Sequence, residues 1–107
     1  MRNHDHQQPV FRALADPTRR SIIDLLQVEP LPIATIAEQF DMSRPAVAKH
    51  LSILKEGGLI AVEKKGRERI NHLTPGGLKT IAEWINHFDQ FWDDRLAQLK
   101  KAAEETQ

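Results

Sequence analysis

Apolar residues recur at helical spacing through the first half of the chain. The segment VFRAL at residues 10–14 predicts a short first helix, and a second helix follows after Asp16. Asp16 is placed to cap that second helix, because Pro17 occupies its first position, where a missing N–H costs nothing. The second helix ends around Glu29-Pro30 and turns four residues toward the core, which are Ile22, Ile23, Leu25 and Leu26.

Two further helices are separated by a tight turn. Apolar spacing predicts a helix over residues 33–40, and Asp41-Met42 forms the turn. Ser43 then caps a helix over residues 44–56, which ends at the glycine pair that follows it. The buried seam of this helix is Val47, Leu51 and Leu54. Its opposite side carries Pro45, Ala48, Lys49, Ser52 and Lys55, with Arg44 at the leading edge.

After residue 58 the apolar period changes from helical to alternating. The segment LIAVEKKGRERINHL predicts a β-hairpin with a strand over 59–63, a basic turn over 64–67 and a return strand to Leu73. Thr74 is expected to cap one long final helix over residues 75–101. The order helix, helix, helix, helix, strand, strand, helix indicates a mainly α fold with a β-hairpin wing (α+β), the winged helix-turn-helix. The wing spans residues 60–73.

The composition allows one domain and excludes several chemistries. With 107 residues, of which 40% are hydrophobic, the chain is assigned as a single domain over residues 1–107. It contains no cysteine, which excludes a disulfide framework, a thiolate zinc site and a cysteine nucleophile. No apolar run is long enough to span a membrane, and the N-terminal MRNHDHQQP lacks the apolar stretch of a secretory signal. We therefore expect a cytoplasmic protein with no membrane partner.

The formal net charge of zero conceals an uneven distribution. Residues 43–75 carry seven basic and three acidic side chains, whereas the last 32 residues have a net charge of −2. A basic middle offers a local face to a polyanion, and a major groove about 12 Å wide admits one helix, so we predict double-stranded DNA as the partner. The predicted DNA-binding residues are Ser43, Arg44, Pro45, Ala48 and Lys49 in the helix, and Lys64, Lys65, Arg67 and Arg69 in the wing.

Each of these residue types suits a different part of DNA. Arg44 can donate twice to guanine, and Lys49 can reach a phosphate or a base. Pro45 and Ala48 can pack on a thymine methyl group, while the wing cations suit phosphates or a minor groove. Some alternatives remain open. Lys64 and Lys65 can also solubilise a hairpin edge, Arg19 and Arg20 can contact phosphate or form an internal salt bridge, and His50 can pack or contact DNA.

The final predicted helix carries an apolar stripe too wide for a domain of this size to cover. Its members recur every three or four residues, and Trp84 and Phe91 widen it on one side. A partner helix can bury such a stripe, so we predict a homodimer. The stripe consists of Leu78, Ile81, Ile85, Phe88, Trp92, Leu96 and Leu99.

Three segments resemble a known family. LADPTRRSIIDLL at 14–26, SRPAVAKHLSILKEGGLI at 43–60 and KKGRER at 64–69 are similar to the ArsR-type winged-helix repressors of bacteria, and the fit continues through TPGGLKTIAEW. The cysteine-free, autorepressor-like subgroup fits best. The resemblance implies a homodimer formed by the first and last helices, residues 10–15 and 75–101, with Val10 and Phe11 joining the interface. It also implies an imperfect palindromic promoter operator, contacted by Arg44, Pro45, Ala48, Lys49, Arg67 and Arg69.

The sequence departs from the family pattern at two places. Many relatives have serine where this chain has Ala48, which removes one hydroxyl contact. Metal-sensing members carry a cysteine pair in the helix that here reads IATIAEQF, so that site cannot exist. The final helix offers Glu83, His87, Asp89 and Asp93 as candidate ligands, and their spacing does not match the family's ligand pairs. With His4 and His6 also unassigned as ligands, we predict no metal and no cofactor.

Three other functions stay in competition with a constitutive repressor. The chain could be a sensor whose small-molecule ligand lies between the dimer helices, or one that binds metal through Asp and His side chains; the inducer is unknown. It could also be a winged helix that binds proteins, although Arg44 and the basic wing argue against a purely protein partner. No catalytic constellation accompanies a Gly-rich loop, so we predict that the chain is not an enzyme.

Overall fold

A computed structural model of the chain describes residues 7–106 and gives nine elements within that range. They are α1 (Gln8–Leu14), α2 (Pro17–Val28), β1 (Leu31–Pro32), α3 (Ile33–Phe40), α4 (Arg44–Glu56), β2 (Ile60–Lys65), β3 (Glu68–Leu73), α5 (Pro75–Asn86) and α6 (Asp89–Glu105). The α+β winged helix-turn-helix is confirmed. His4 and His6 lie outside the described residues, as do both ends of the predicted domain.

Side-chain caps begin two of the helices as predicted. The Asp16 carboxylate accepts a hydrogen bond from the Arg19 backbone N–H at 3.1 Å, and this bond lowers the pKa of Asp16. Ser43 Oγ accepts from the Ala46 N–H at 3.3 Å. The prediction for Thr74 is wrong, because its hydroxyl donates to the Gly58 carbonyl at 2.6 Å instead of capping α5. The Thr74 side chain therefore bonds to a nearby carbonyl and not to the backbone N–H groups at the start of α5.

The hairpin has a shorter turn than predicted and belongs to a three-stranded antiparallel sheet. Strands β2 and β3 pair from Ile60↔Leu73 to Lys65↔Glu68, which leaves a two-residue turn with Gly66 at φ 61°. Lys64 and Lys65 therefore lie in a strand and not in the turn. The two-strand prediction is also wrong, because β1 adds to the other edge of β3, giving the order β1-β3-β2.

The core lies between α2, α3, α4 and the sheet. Its largest fully buried side chains are Ile22, Ile36, Val47, Leu54 and Leu59. The buried amide of Asn71, which is 4% exposed, donates to the Leu31 carbonyl at 3.2 Å and so attaches β1 to the sheet. This packing fixes α4 against the sheet and turns its polar side outward.

The predicted single helix over residues 75–101 is divided into α5 and α6 at His87-Phe88. The Phe88 N–H bonds to Ile85, three residues back, and Phe88 has φ −102° and ψ 4°, outside the helical range. Phe88 also makes edge contacts with Trp84 and His87, at ring separations of 5.1 and 6.1 Å. Neither glycine nor proline marks the break, so the apolar period alone predicted one helix.

No helix within residues 7–106 is both long and apolar enough to cross a membrane.

Candidate DNA-binding surface

The turn between α3 and α4 sets the direction of α4. Asp41 adopts the left-handed conformation at φ 51°, which Asp tolerates better than most residues. Its N–H bonds back to Ala37 and Glu38, and the Met42 N–H bonds to Ala37 at 3.1 Å, so two of the last carbonyls of α3 are satisfied. Ser43 then starts α4 immediately, and the two helices are held as a helix-turn-helix.

The outward side of α4 holds all the residues predicted for it. Val47, Leu51 and Leu54 are buried beneath, whereas the predicted DNA-contacting residues of this segment are exposed. The exposed set is Ser43, Arg44, Pro45, Ala48 and Lys49, and it continues along the same side through Ser52 and Lys55. The arrangement presents two cations and a small apolar patch near the N-terminal end of a helix, the part that enters a major groove.

The wing presents its cations next to one another. Lys64, Lys65, Arg67 and Arg69 are all exposed, and Lys64 pairs directly across the strands with Arg69. Like charges directly opposite each other on a sheet are destabilising, so this pair gains from a bound anion. Lys65 is partly compensated, since its ammonium lies 3.7 Å from the Glu63 carboxylate on the exposed surface.

Arg19 and Arg20 take a role that neither alternative anticipated. The Arg19 guanidinium donates to the carbonyls of Ala13 at 2.8 Å and Arg12 at 2.9 Å, and it lies 3.3 Å from His50 Nδ1. Arg20 donates to the Leu14 carbonyl. Both cations therefore satisfy the C-terminal carbonyls of α1, where the helix dipole favours positive charge. The sequence signal was the position of both cations in the first turn of α2, where the dipole of their own helix disfavours positive charge.

Half-buried His50 lies beside Arg19, as the packing alternative expected. The structure brings together no group of three or more potential metal ligands among residues 7–106. That range includes Glu83, His87, Asp89 and Asp93, and the break at His87-Phe88 separates the first from the last two.

A recognition helix with an exposed polar side, supported by α3 and flanked by a basic hairpin, defines a winged helix-turn-helix DNA-binding protein. A family described as "Helix-turn-helix domain" matches residues 14–63. The transcriptional repressor SdpR of Bacillus subtilis is 37% identical over 87 residues, which cover 81% of this chain and 97% of that protein.

Solved structures agree with this class. An ArsR-like transcriptional regulator from Rhodococcus sp. RHA1 superposes with a TM-score of 0.78 at 33% identity, covering 95% of this chain and 94% of that one. A homodimeric winged helix-turn-helix DNA-binding domain from Mycobacterium bovis, a possible ArsR-family regulator, superposes with a TM-score of 0.64 at 25% identity, covering 86% of this chain and 82% of that one. The chain belongs to the ArsR family and is a DNA-binding transcriptional regulator.

Proposed function

We propose that the chain is a homodimeric repressor that binds an imperfect palindromic operator in a promoter, with no enzymatic role and in the cytoplasm. The recognition helix α4 enters the major groove, supported by α3, and the wing contacts the flanking backbone. The repressor name of the Bacillus relative supports the direction of regulation. The observation that carries the proposal is the exposed set on α4 together with the wing cations.

The predicted residues are assigned to different parts of the DNA. Arg44 contacts a base edge, Lys49 contacts a base or phosphate, and Pro45 and Ala48 pack on thymine methyl groups. Ser43 is an exposed cap whose hydroxyl is already used by the helix. The wing cations contact phosphates, and the opposition of Lys64 and Arg69 supports that role because a phosphate relieves it.

The proposed dimer interface begins with an aromatic cluster between α1 and α5. Phe11 and Trp84 meet edge to face with ring centroids 5.3 Å apart, and Trp84 meets Phe88 at 5.1 Å. Trp84 is thus more central than its place at the side of the predicted stripe suggested. Val10 is only 4% exposed, so it supports this surface from within the core and offers little area to a partner. Ile81 packs partly against the same core.

The remaining apolar surface continues onto α6, which has no buried residue. Exposure rises from 38% at Phe88 to 64% at Leu99. Leaving this many large apolar side chains in water is costly, and a second copy of the chain covers them in the proposed dimer. The exposed members are Leu78, Trp84, Ile85, Phe88, Phe91, Trp92, Leu96 and Leu99. The homodimeric state of the Mycobacterium bovis domain supports this arrangement.

A gel-shift assay on the region upstream of the chain's own gene tests the proposal. We expect a retarded complex at protein concentrations where a shuffled DNA of the same composition stays unbound, and a footprint with two halves about one helical turn apart. An Arg44→Ala, Lys49→Ala double variant serves as the matched control and should lose the specific complex. If the wild-type chain binds upstream and shuffled DNA equally, an operator in that region is ruled out.

A further inference from the structure

A cleft of about 340 Å³ lies between the recognition helix and the wing. Its apolar lining comes from α3, α4 and β2 and comprises Ile33, Ala48, Leu51, Ile60 and Val62. Leu51 and Ile60 are almost fully buried, so the cleft reaches down to the core. The volume falls in the range of small-molecule sites, which are mostly apolar with a few polar groups that fix the ligand's orientation.

Two of the four polar residues that line the cleft are cations. Lys55 comes from the last turn of α4 and Arg69 from β3, and the Ser52 hydroxyl and the Asn71 amide lie with them. Neither Lys55 nor Arg69 forms an ion pair within residues 7–106, where the acidic neighbours Glu56 and Glu63 are paired with Arg12 and Lys65. The cleft therefore joins an apolar interior to two cations without a carboxylate of their own.

DNA can match the cations of the cleft but not its apolar lining. Its phosphates can neutralise Lys55 and Arg69, but the sugar-phosphate backbone offers little to an apolar surface that reaches Leu51 and Ile60. A ligand that matches both parts has an anionic head and an apolar body. Carboxylates form strong charge-assisted hydrogen bonds with such cations.

We propose that the cleft binds a small aryl or alkyl carboxylate, with the carboxylate on Lys55 and Arg69 and the apolar body against Ile33, Leu51 and Ile60. Because Ala48 and Arg69 also belong to the DNA-binding surface, the bound acid displaces DNA directly. The displacement of DNA rests on the proposed function, whereas binding of the acid to the free protein does not. The site differs from the one between the dimer helices that the sequence suggested for a sensor.

The first test is a titration of the full chain, without DNA, using 4-phenylbutyrate as the probe and backbone amide NMR as the readout. We expect saturable shifts at Leu51, Ser52, Ile60 and Val62, and binding of the uncharged 4-phenylbutan-1-ol that is weaker by about tenfold or more. Shifts that instead cluster on α5 and α6 would overturn the proposal. So would equal affinities of the acid and the alcohol.

Two variants separate the cleft from the general positive charge of the wing. Arg69→Gln should weaken the binding of 4-phenylbutyrate by about tenfold, since it removes one of two charge-assisted contacts. Arg67→Gln is the matched control, because Arg67 lies in the adjacent turn and does not line the cleft, and it should keep the wild-type affinity. If both substitutions weaken the binding of 4-phenylbutyrate equally, the acid is attracted only by the general positive charge of the wing, and the proposed site is contradicted.

The second test adds DNA. At saturating 4-phenylbutyrate we expect the apparent Kd of the wild-type chain for DNA to rise at least tenfold. For each variant, the Kd with the acid is compared with the same variant's Kd without it. This ratio should be smaller for Arg69→Gln than for Arg67→Gln. If the acid binds the cleft and DNA affinity is unchanged, displacement is refuted. If the chain binds no DNA, the proposed function fails while the titration of the free protein still decides the ligand site.

Discussion

In the proposed complex, we expect sequence-specific binding to depend most on Arg44. It is exposed at the first position of α4, where its planar fork can donate two hydrogen bonds to one guanine. We expect Arg44→Ala to cost about 1–3 kcal/mol of binding free energy on the operator and to relax the preference at one base pair per half-site. Competition binding against single-base operator variants measures both effects.

Arg44→Lys serves as the control, because it keeps the charge and loses the fork. It should retain affinity for random DNA but still lose the base preference. Should Arg44→Ala weaken operator and random DNA to the same extent, Arg44 contacts phosphate only.

Gly77 is required by space and not by an unusual φ angle. A Cβ there would lie 2.6 Å from the Gly57 carbonyl oxygen and 2.9 Å from the Leu59 side chain, so α5 could not approach so closely. Gly77→Ala should therefore lower the free energy of unfolding by about 1–3 kcal/mol. At neighbouring Gly76 the nearest atom is 3.7 Å away, and Gly76→Ala should be neutral or stabilising by up to about 1 kcal/mol. Chemical denaturation of the two variants compares them, and equal stabilities would refute the close approach.

At the scale of elements, we expect the wing to contribute charge more than sequence preference to DNA binding. Replacing Arg67 and Arg69 by Gln should weaken binding to all DNA sequences and reduce the slope of log affinity against log salt by about one per lost phosphate contact. Lys79→Gln is the control, because it removes an exposed cation from α5, away from the wing. Binding measured at several salt concentrations decides the matter. An unchanged slope in the double variant would remove both arginines from the DNA contact.

Elements with a long apolar period could be predicted from the sequence, and short or interrupted ones could not. Helices α3 and α4 begin and end where the pattern and caps place them, because each has its own N-terminal signal or turn. Strand β1 has two residues, too few to show a period, and exists only because β3 offers it an edge. The break before α6 has no glycine or proline, so only the packing of Phe88 marks it.

For the whole molecule, the central prediction couples oligomeric state to DNA binding. Phe88 lies at the junction of α5 and α6 in the proposed interface, and a large apolar side chain contributes about 1.5–3 kcal/mol when buried. Phe88→Glu and Trp92→Glu should each shift the chain to monomers in sedimentation and lower operator affinity by about a hundredfold or more, since two half-sites are no longer bound together. Weak binding to random DNA at low salt should persist.

Val28→Glu provides the control for adding a charge to an exposed apolar position. Val28 is 81% exposed at the end of α2, outside the proposed interface, so this variant should stay dimeric and bind the operator normally. A folded Phe88→Glu monomer with full operator affinity would contradict the dimer, as would a wild-type chain that sediments as a monomer at micromolar concentration.

The sequence by itself determined the elements that carry local signals and the chemistry of the surface they expose. The caps at Asp16 and Ser43, the seam of α4 and the basic wing each follow from neighbouring residues, so the class of protein was predictable. Tertiary structure decided what depends on distant groups. Arg19 satisfies α1 because the chain returns it to those carbonyls, and the cleft exists because α4 packs beside the sheet so that Lys55 and Arg69 line one space. Periodicity describes which face an element buries, but only the packed fold fixes what that face meets.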